Sequence, residues 1–260
     1  MSALGWLVCP RCGAPLSRRD GALVCPARHS FDIARQGYVN LLGHAAPANA
    51  DTPAMVAARD RFLGGGHYAP IAAAVARGAA GARRILEVGA GTGHYLAAAL
   101  DAAPDAEGLA TDVSPAAARR AARCHPRAAA VVADTWAGLP LPDGAVDALL
   151  CVFAPRNPAE FDRLLAPTGR LVVAVPAAEH LGELRSRHGL LDVPGDKTAA
   201  IAAAWPAWSA DVEEVRYRLD LTGDQVADLI AMGPNAFHTV PAAPEAASVT
   251  VAVDVVTLRR

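Results

Sequence analysis

The sequence predicts an α/β protein with a seven-stranded, mostly parallel sheet, preceded by a small module rich in cysteine and histidine. Three observations carry this. From residue 83 onward, short apolar runs alternate with alanine-rich helical stretches. A glycine-rich loop, "GAGTG", follows directly on the first of those runs. Three cysteines and a histidine (Cys9, Cys12, Cys25 and His29) fall within the first thirty residues.

Taken in order, residues 1–35 form the Cys/His module, with turn-prone "RCGAP" and "RRDGA". Residues 36–80 read as a helical connector. In it the loop "GHAAPANADTP" precedes two helices, "PAMVAARDRFL" and "YAPIAAAVARGAA". Residues 81–260 form the main domain. "RRILEVG", "EGLATD", "AAAVVAD", "VDALLCVF" and "RLVVAVP" are strands by their β-branched or continuous apolar runs. "HYLAAALDAA", "SPAAARRAARC", "PAEFDRLLA" and "AEHLGELRSRHG" are the helices between or after them. Strand–helix alternation implies a parallel sheet with helices on both faces. "EEVRYRLDL", a helical "TGDQVADLIAM" and "SVTVAVDVVTL" add two more strands with an antiparallel finish. The chain is 53% hydrophobic but only 5% aromatic, and much of that fraction is alanine, which buries little area per residue.

The first motif is C-P-x-C-G, twelve residues, then C-P-x-x-H. Zinc takes four soft or borderline donors in a tetrahedron, and two cysteines two residues apart bite one ion from a tight turn. Cys25 and His29 supply the other pair, and the residues between fit a hairpin turning at "RDGA". A redox pair would need C-x-x-C opening a helix after a strand; here Pro10 lies between the cysteines and a hairpin follows. Four protein donors leave no open position, so the metal is structural. So small a module needs it to fold. Cys124 and Cys151 read as buried small apolar residues.

The second motif is "ILEVGAGTGHYL". An apolar strand ends at Glu87, and Gly89, Gly91 and Gly93 follow and open a helix, where glycines let backbone approach a ligand closely. His94 follows as a candidate lining residue. Asp112, ending the next strand, suits ribose hydroxyls. Asp134, after the third, is placed to meet an adenine amino group. The G-x-G-x-G spacing differs from the dinucleotide fingerprint, and the combination resembles class I (Rossmann-like) S-adenosylmethionine-dependent methyltransferases. In that fold "CVFAPRNP" lies beside the donor methyl, which makes Ala154, Pro155, Arg156 and Asn157 the candidate catalytic loop. Phe153 reads as core in preference to a stacking residue. His67 and Tyr68 are further pocket candidates, more readily structural.

The formal net charge is −2, so any nucleic-acid surface must be local. One local bias exists: Arg11, Arg18, Arg19, Arg28 and Arg35 against Asp20 and Asp32. No signal peptide and no run of about 18 apolar residues is found. Five cysteines without an export signal indicate a reducing cytoplasm.

With both motifs in hand, the chain resembles nearly end to end the bacterial 23S rRNA (guanine-N1)-methyltransferases. The stretches that carry this are "CPRCGAPL", "CPARHSFDIARQGYVNLL", "DTPAMVAARDRFLGGGHYAPI", "LEVGAGTGHYL", "LPLPDGAVDALLCVFAPRNPAEFDRLLAPTGRLVVAVP" and "HLGELR". "VFAPRNP" and "AMGPNAFH" look closest to the actinobacterial branch associated with tylosin-type macrolide resistance. The resemblance implies S-adenosylmethionine as methyl donor, structural Zn2+, and a guanine in a 23S rRNA hairpin near the macrolide site as acceptor. No membrane partner is expected, since no run of about 18 apolar residues is present, and a homodimer is left open. The resemblance places zinc on Cys9, Cys12, Cys25 and His29, and the cofactor on Glu87, Gly89, Gly91, Asp112 and Asp134. One departure is Phe237, where the pattern calls for tryptophan. A small-molecule methyltransferase on the same scaffold is the alternative. A non-enzymatic zinc module with a degenerate cofactor fold is the other rival; the intact "EVGAGTG", "TDVS" and "ADTW" speak against it.

Overall fold

The computed structural model describes residues 3–188, 197–233, 236 and 244–260. Phe237 lies outside them. The N-terminal module opens with a 3₁₀ turn, Ala3–Trp6, followed by an antiparallel meander of β1 (Ser17–Arg19), β2 (Ala22–Val24) and β3 (Ser30–Asp32). Asp20 and Gly21 form the β1–β2 turn, both at positive φ, as a two-residue hairpin requires.

A further strand, β4 (Tyr38–Asn40), leaves this module and pairs parallel with β7 (Ala128–Val132). Helices α1 (Pro53–Gly64) and α2 (Ala69–Gly78) follow. Thr52 caps α1 by accepting the Met55 N–H at 3.3 Å. Then come β5 (Arg84–Val88), α3 (His94–Ala102), β6 (Glu107–Asp112), α4 (Pro115–Ala121) and β7. The second half comprises β8 (Val146–Val152), α5 (Pro158–Leu164), β9 (Leu165–Pro176), α6 (Gly182–His188) and α7 (Lys197–Ala204). It ends with β10 (Ser209–Leu221), α8 (Gly223–Ala231) and β11 (Ala247–Arg259).

The main sheet runs β10-β11-β9-β8-β5-β6-β7-β4. The pairs from β4 to β9 are parallel; β11 is antiparallel to both β9 and β10, which is the antiparallel finish expected. The sheet therefore has 8 strands, one more than predicted. The eighth is β4, whose three residues are too few for a period of two to stand out in sequence.

Successive side chains of each central strand enter opposite faces, and both faces are buried. Ile85, Ala110, Ala130, Ala148 and Leu150 face α1, α2, α3, α4 and α8. Leu86, Leu109, Val131, Leu149 and Cys151 face the other way. There, α5 and α7 cover only part of the sheet. The rest is covered by Leu4, Trp6, Leu7, Leu16 and Leu23 of the N-terminal module. Helices lie on both faces, as expected, and on this one the Cys/His module also stands where a further helix would and shares one core with the sheet. Arg84 over the Trp6 ring, at 5.6 Å, adds a cation–π contact at the seam.

Candidate active site and metal centre

Two tight turns build the metal centre. In "CPRCG" the Gly13 N–H donates to the Cys9 carbonyl at 2.8 Å; in "CPARH" the Arg28 N–H donates to the Cys25 carbonyl at 2.8 Å. The ligand atoms of Cys9, Cys12, Cys25 and His29 all lie within 4.8 Å of one another. His29 Nδ1 is 3.4 Å from Cys9 Sγ and 3.5 Å from Cys25 Sγ, and Cys12 Sγ is 3.8 Å from Cys25 Sγ. A tetrahedron with Zn–S near 2.3 Å and Zn–N near 2.0 Å has edges of about 3.8 Å between sulfurs and about 3.5 Å between sulfur and nitrogen. The donor set thus fits zinc in identity and in spacing. Burial opposes ionisation of Cys9, but hydrogen bonds from the Arg11 and Cys12 backbone N–H groups and from the Cys12 and His29 side chains together bring the thiol down to about 7.

The second site forms at the carboxyl ends of β5, β6 and β8. Gly89 and Gly91 have φ of +61° and +55°. A Cβ on Gly89 would stand 2.7 Å from Ala154 Cβ, and one on Gly91 would stand 2.8 Å from Arg59 Nη1. The loop is thus clasped between the "APRN" segment and α1, and only glycine fits. Asp112 faces it from the end of β6: Oδ2 accepts the Gly91 N–H at 2.9 Å and Oδ1 accepts the Ser114 N–H at 2.8 Å. Glu87 is buried and accepts the Leu96 N–H at 3.1 Å; burial pushes its carboxyl up to about 8. Burial also raises Asp112. Buried carboxyls beside a loop shaped for close approach suit a cationic ligand that carries a ribose.

The structure brings Glu87, Gly89, Gly91 and Asp112 together. Gly93 is buried beneath α3 and packs toward Cys124, where an added Cβ would be 2.8 Å from Sγ. His94 lines a groove between α2 and α3 with Ala72, Ala98 and Asp101, outside this cluster. Asp134 accepts the Trp136 N–H at 2.8 Å and borders a second groove against the metal module. Cys124 and Cys151 are thiols raised to about 12 by burial, in keeping with a packing role.

In the "APRN" segment, Asn157 uses both ends of its amide. Oδ1 accepts the Glu160 N–H at 3.4 Å, capping α5, and Nδ2 donates to the Thr135 carbonyl at 3.0 Å. It positions the loop. Arg156 is half-buried and has no hydrogen-bonding or ion partner among the described residues. Phe153 corrects the sequence expectation: it is 41% exposed, with φ +54°, not part of the core. Its ring stacks on His180 at 6.3 Å and meets Tyr68 and Tyr95 at 6.3 Å each. Tyr68 is buried and its Oη has no partner among the described residues. His180 accepts the Ala252 N–H on Nδ1 at 3.2 Å, which leaves Nε2 to carry the proton; burial lowers its pKa to about 4, so it is neutral at pH 7.

Sequence reasoning passed over His180 and Arg59. Arg59 is ion-paired with Asp51, donates to the Met232 carbonyl, and reaches over Gly91. A signal for it existed. Buried Met55, Val56, Phe62 and Leu63 lie four and three residues to either side, so Arg59 interrupts an apolar helix face. An arginine there asks for an anionic partner.

A mostly parallel sheet, a glycine loop after β5, an acid ending β6, and a Cys3His tetrahedron on the same core define a zinc-bearing, S-adenosylmethionine-dependent class I methyltransferase. Residues 7–46 match the family model described as "RlmA, N-terminal", a zinc ribbon, and residues 85–172 match a methyltransferase domain. A Streptomyces fradiae protein named 23S rRNA (guanine(748)-N(1))-methyltransferase is 48% identical, over 91% of this chain and 87% of that protein. A Micromonospora griseorubida protein, named provisionally as a 23S rRNA (guanine-N(1)-)-methyltransferase, is 52% identical over 91% and 88%. Among solved structures, a chain from the complex of the Haloferax volcanii Trm112 methyltransferase activator with a provisionally assigned methyltransferase superposes with a TM-score of 0.53 at 16% identity, over 81% and 97% of the two chains. That likeness concerns the fold alone. The chain belongs to the family of 23S rRNA (guanine-N(1)-)-methyltransferases.

Proposed function

We propose that the protein methylates N1 of a guanine in a hairpin of 23S rRNA, at the position named for the Streptomyces relative, and acts in the cytoplasm. The observation that carries the reading is the zinc ribbon built into the methyltransferase core, in a chain about half identical to relatives named for this reaction. No helix among the described residues is long and apolar enough to cross a membrane.

S-adenosylmethionine supplies an electrophilic methyl on a cationic sulfonium. Cys9, Cys12, Cys25 and His29 would hold zinc with no position left open for chemistry, so the ion would serve to fix the ribbon. Around the cofactor, Asp112 holds the ribose hydroxyls, Asp134 the adenine amino group, and Gly89 and Gly91 give room for backbone contact. Arg59 and the unpartnered Tyr68 hydroxyl are placed for the methionine carboxylate. Around the acceptor, half-exposed Phe153 offers a ring face to the guanine, and neutral His180 offers Nε2–H to a carbonyl oxygen. Arg156 supplies charge to a phosphate or to O6. The gain comes mainly from orientation, and the N1 proton leaves to solvent on the open side of Phe153. The five exposed arginines of the ribbon and its exit (Arg11, Arg18, Arg19, Arg28 and Arg35) make no side-chain hydrogen bond or ion pair among the described residues, and they grip phosphates.

Methylation of a 23S hairpin transcript, mapped by reverse-transcription stops, tests this, because an N1-methyl blocks the pairing edge. A stop at one guanine is expected. Turnover on a panel of metabolites with none on the hairpin would replace the reading with the small-molecule one. The resemblance to the tylosin-resistance branch extends the proposal: expression in a sensitive host should raise the tylosin concentration that inhibits growth.

A further inference from the structure

Trp136 is 64% exposed, more than any other large hydrophobic side chain described. Its indole has no ring partner, and Nε1 has no acceptor, among the described residues. The loop that carries it is firmly held. Asp134 Oδ1 accepts the Trp136 N–H at 2.8 Å, and the Thr135 carbonyl accepts from Asn157 Nδ2 at 3.0 Å. Leu139 N–H donates to Glu160 Oε1 at 2.6 Å, and the Pro140 carbonyl accepts the Val8 N–H at 2.9 Å. The held loop presents the indole to solvent at one fixed place, so its ring face is open to stack on a ligand.

The place of the loop identifies that ligand. Through Asn157 it is tied to the "APRN" segment at the acceptor side. On its other side a groove of about 730 Å³ runs between the loop and the zinc ribbon, lined by Arg11, Phe31, Asn40, His44, Asp134 and Gly138. Trp136 stands beside this groove through its neighbour Ala137; Arg11, Asn40 and His44 can meet phosphates and base edges, and Asp134 is the one acid in the lining. The cofactor adenine is a poor candidate, because an indole this exposed is no wall of a buried ring pocket.

We infer that Trp136 is the stacking platform for an unpaired rRNA base next to the target guanine, where the strand passes from the transfer site into the groove beside the zinc ribbon. Every base has a π face, so the platform tolerates sequence and sets position. The inference rests on rRNA being the substrate.

The test uses the zinc-loaded full chain as wild type, Trp136→Ala and Trp136→Phe, with a 23S hairpin transcript. Trp136→Ala should weaken hairpin binding by about 5- to 150-fold, seen as a raised KM with kcat largely kept. Trp136→Phe should recover most of the loss. Affinity for S-adenosylhomocysteine and the melting temperature should match wild type, and hairpin binding should quench indole fluorescence in wild type but less in Trp136→Ala. Unchanged hairpin affinity in Trp136→Ala overturns the inference alone. An equal loss of S-adenosylhomocysteine affinity overturns it in favour of a cofactor wall. A wild-type enzyme that neither binds nor methylates the hairpin overturns the substrate reading, and this inference with it.

Discussion

Gly89→Ala loads two strains on one atom. Alanine at φ +61° sits in the left-handed region, which costs an L-residue about 1–2 kcal/mol. Its Cβ would also stand 2.7 Å from Ala154 Cβ, where ordinary contacts begin near 3.4 Å. Overpacking of this kind costs about 1–3 kcal/mol. The sum, about 2–5 kcal/mol, divides between folding stability and cofactor affinity, because the free protein can displace the 153–157 segment and must restore it to bind. Ala154→Gly removes the second strain and leaves the first. Urea unfolding and calorimetric titration with S-adenosylhomocysteine on the wild type, both single variants and the double variant form a cycle. A coupling of about 1–3 kcal/mol in the summed free energies is expected, with the double variant better than Gly89→Ala. Additive effects within about 0.3 kcal/mol would refute the claim that the cofactor loop and the transfer loop press on each other at this point.

Four further outcomes are expected. Stripping zinc, or Cys25→Ser, should remove the cooperative unfolding of the whole chain and not of the ribbon alone, since Leu4, Trp6, Leu7 and Leu23 cover one sheet face; circular dichroism after chelation reads this. Glu87 and His180 should oppose each other in pH. The folded pKa of Glu87, about 8, lies above its ordinary value of 4.5, so its stability contribution is full below about 4.5 and is lost as pH rises through about 8, at up to about 1.4 kcal/mol per pH unit; Glu87→Gln should flatten that arm in urea titrations. The folded pKa of His180, about 4, lies below the ordinary 6.5, so its contribution is full above about 6.5 and is lost as pH falls through about 4, and His180→Gln should flatten the acid arm. Asn157→Ala should cost about 0.5–2 kcal/mol by unfolding and also slow methylation, while Asn157→Asp keeps the α5 cap and removes only the tie to Thr135, so a KM-neutral fall in kcat common to both would locate the effect in that tie. Replacing Arg18 and Arg19 by alanine should weaken hairpin binding and reduce the slope of log affinity against log salt by about one for each phosphate no longer neutralised.

Much of the molecule was legible because its signals are local. The Cys9–Cys12 and Cys25–His29 pairs each lie within one turn, so spacing alone specifies a bite. Gly89 and Gly91 announce a close approach next to a run of four buried residues, Ile85–Val88. The caps at Thr52, Ser114, Asn157 and Thr222 each accept a hydrogen bond from within their own first turn. Phe153 was misread because a phenylalanine ending an apolar strand is locally indistinguishable from core. Its exposure follows from a positive φ that turns it out toward His180, a residue 27 positions away in the chain.

Composition, spacing and periodicity by themselves determined the metal-ligand set, the glycine loop with its two acids, and the order of strands and helices from β5 to β9, since each depends on contacts within a few residues. Tertiary structure alone decided that β4 closes the sheet, that the zinc ribbon fills the place of a helix, that Arg59 closes over Gly91, and that Tyr68, Phe153 and His180 meet. These depend on pairs separated by tens of residues, and their geometry is set only when both sheet faces are buried at once.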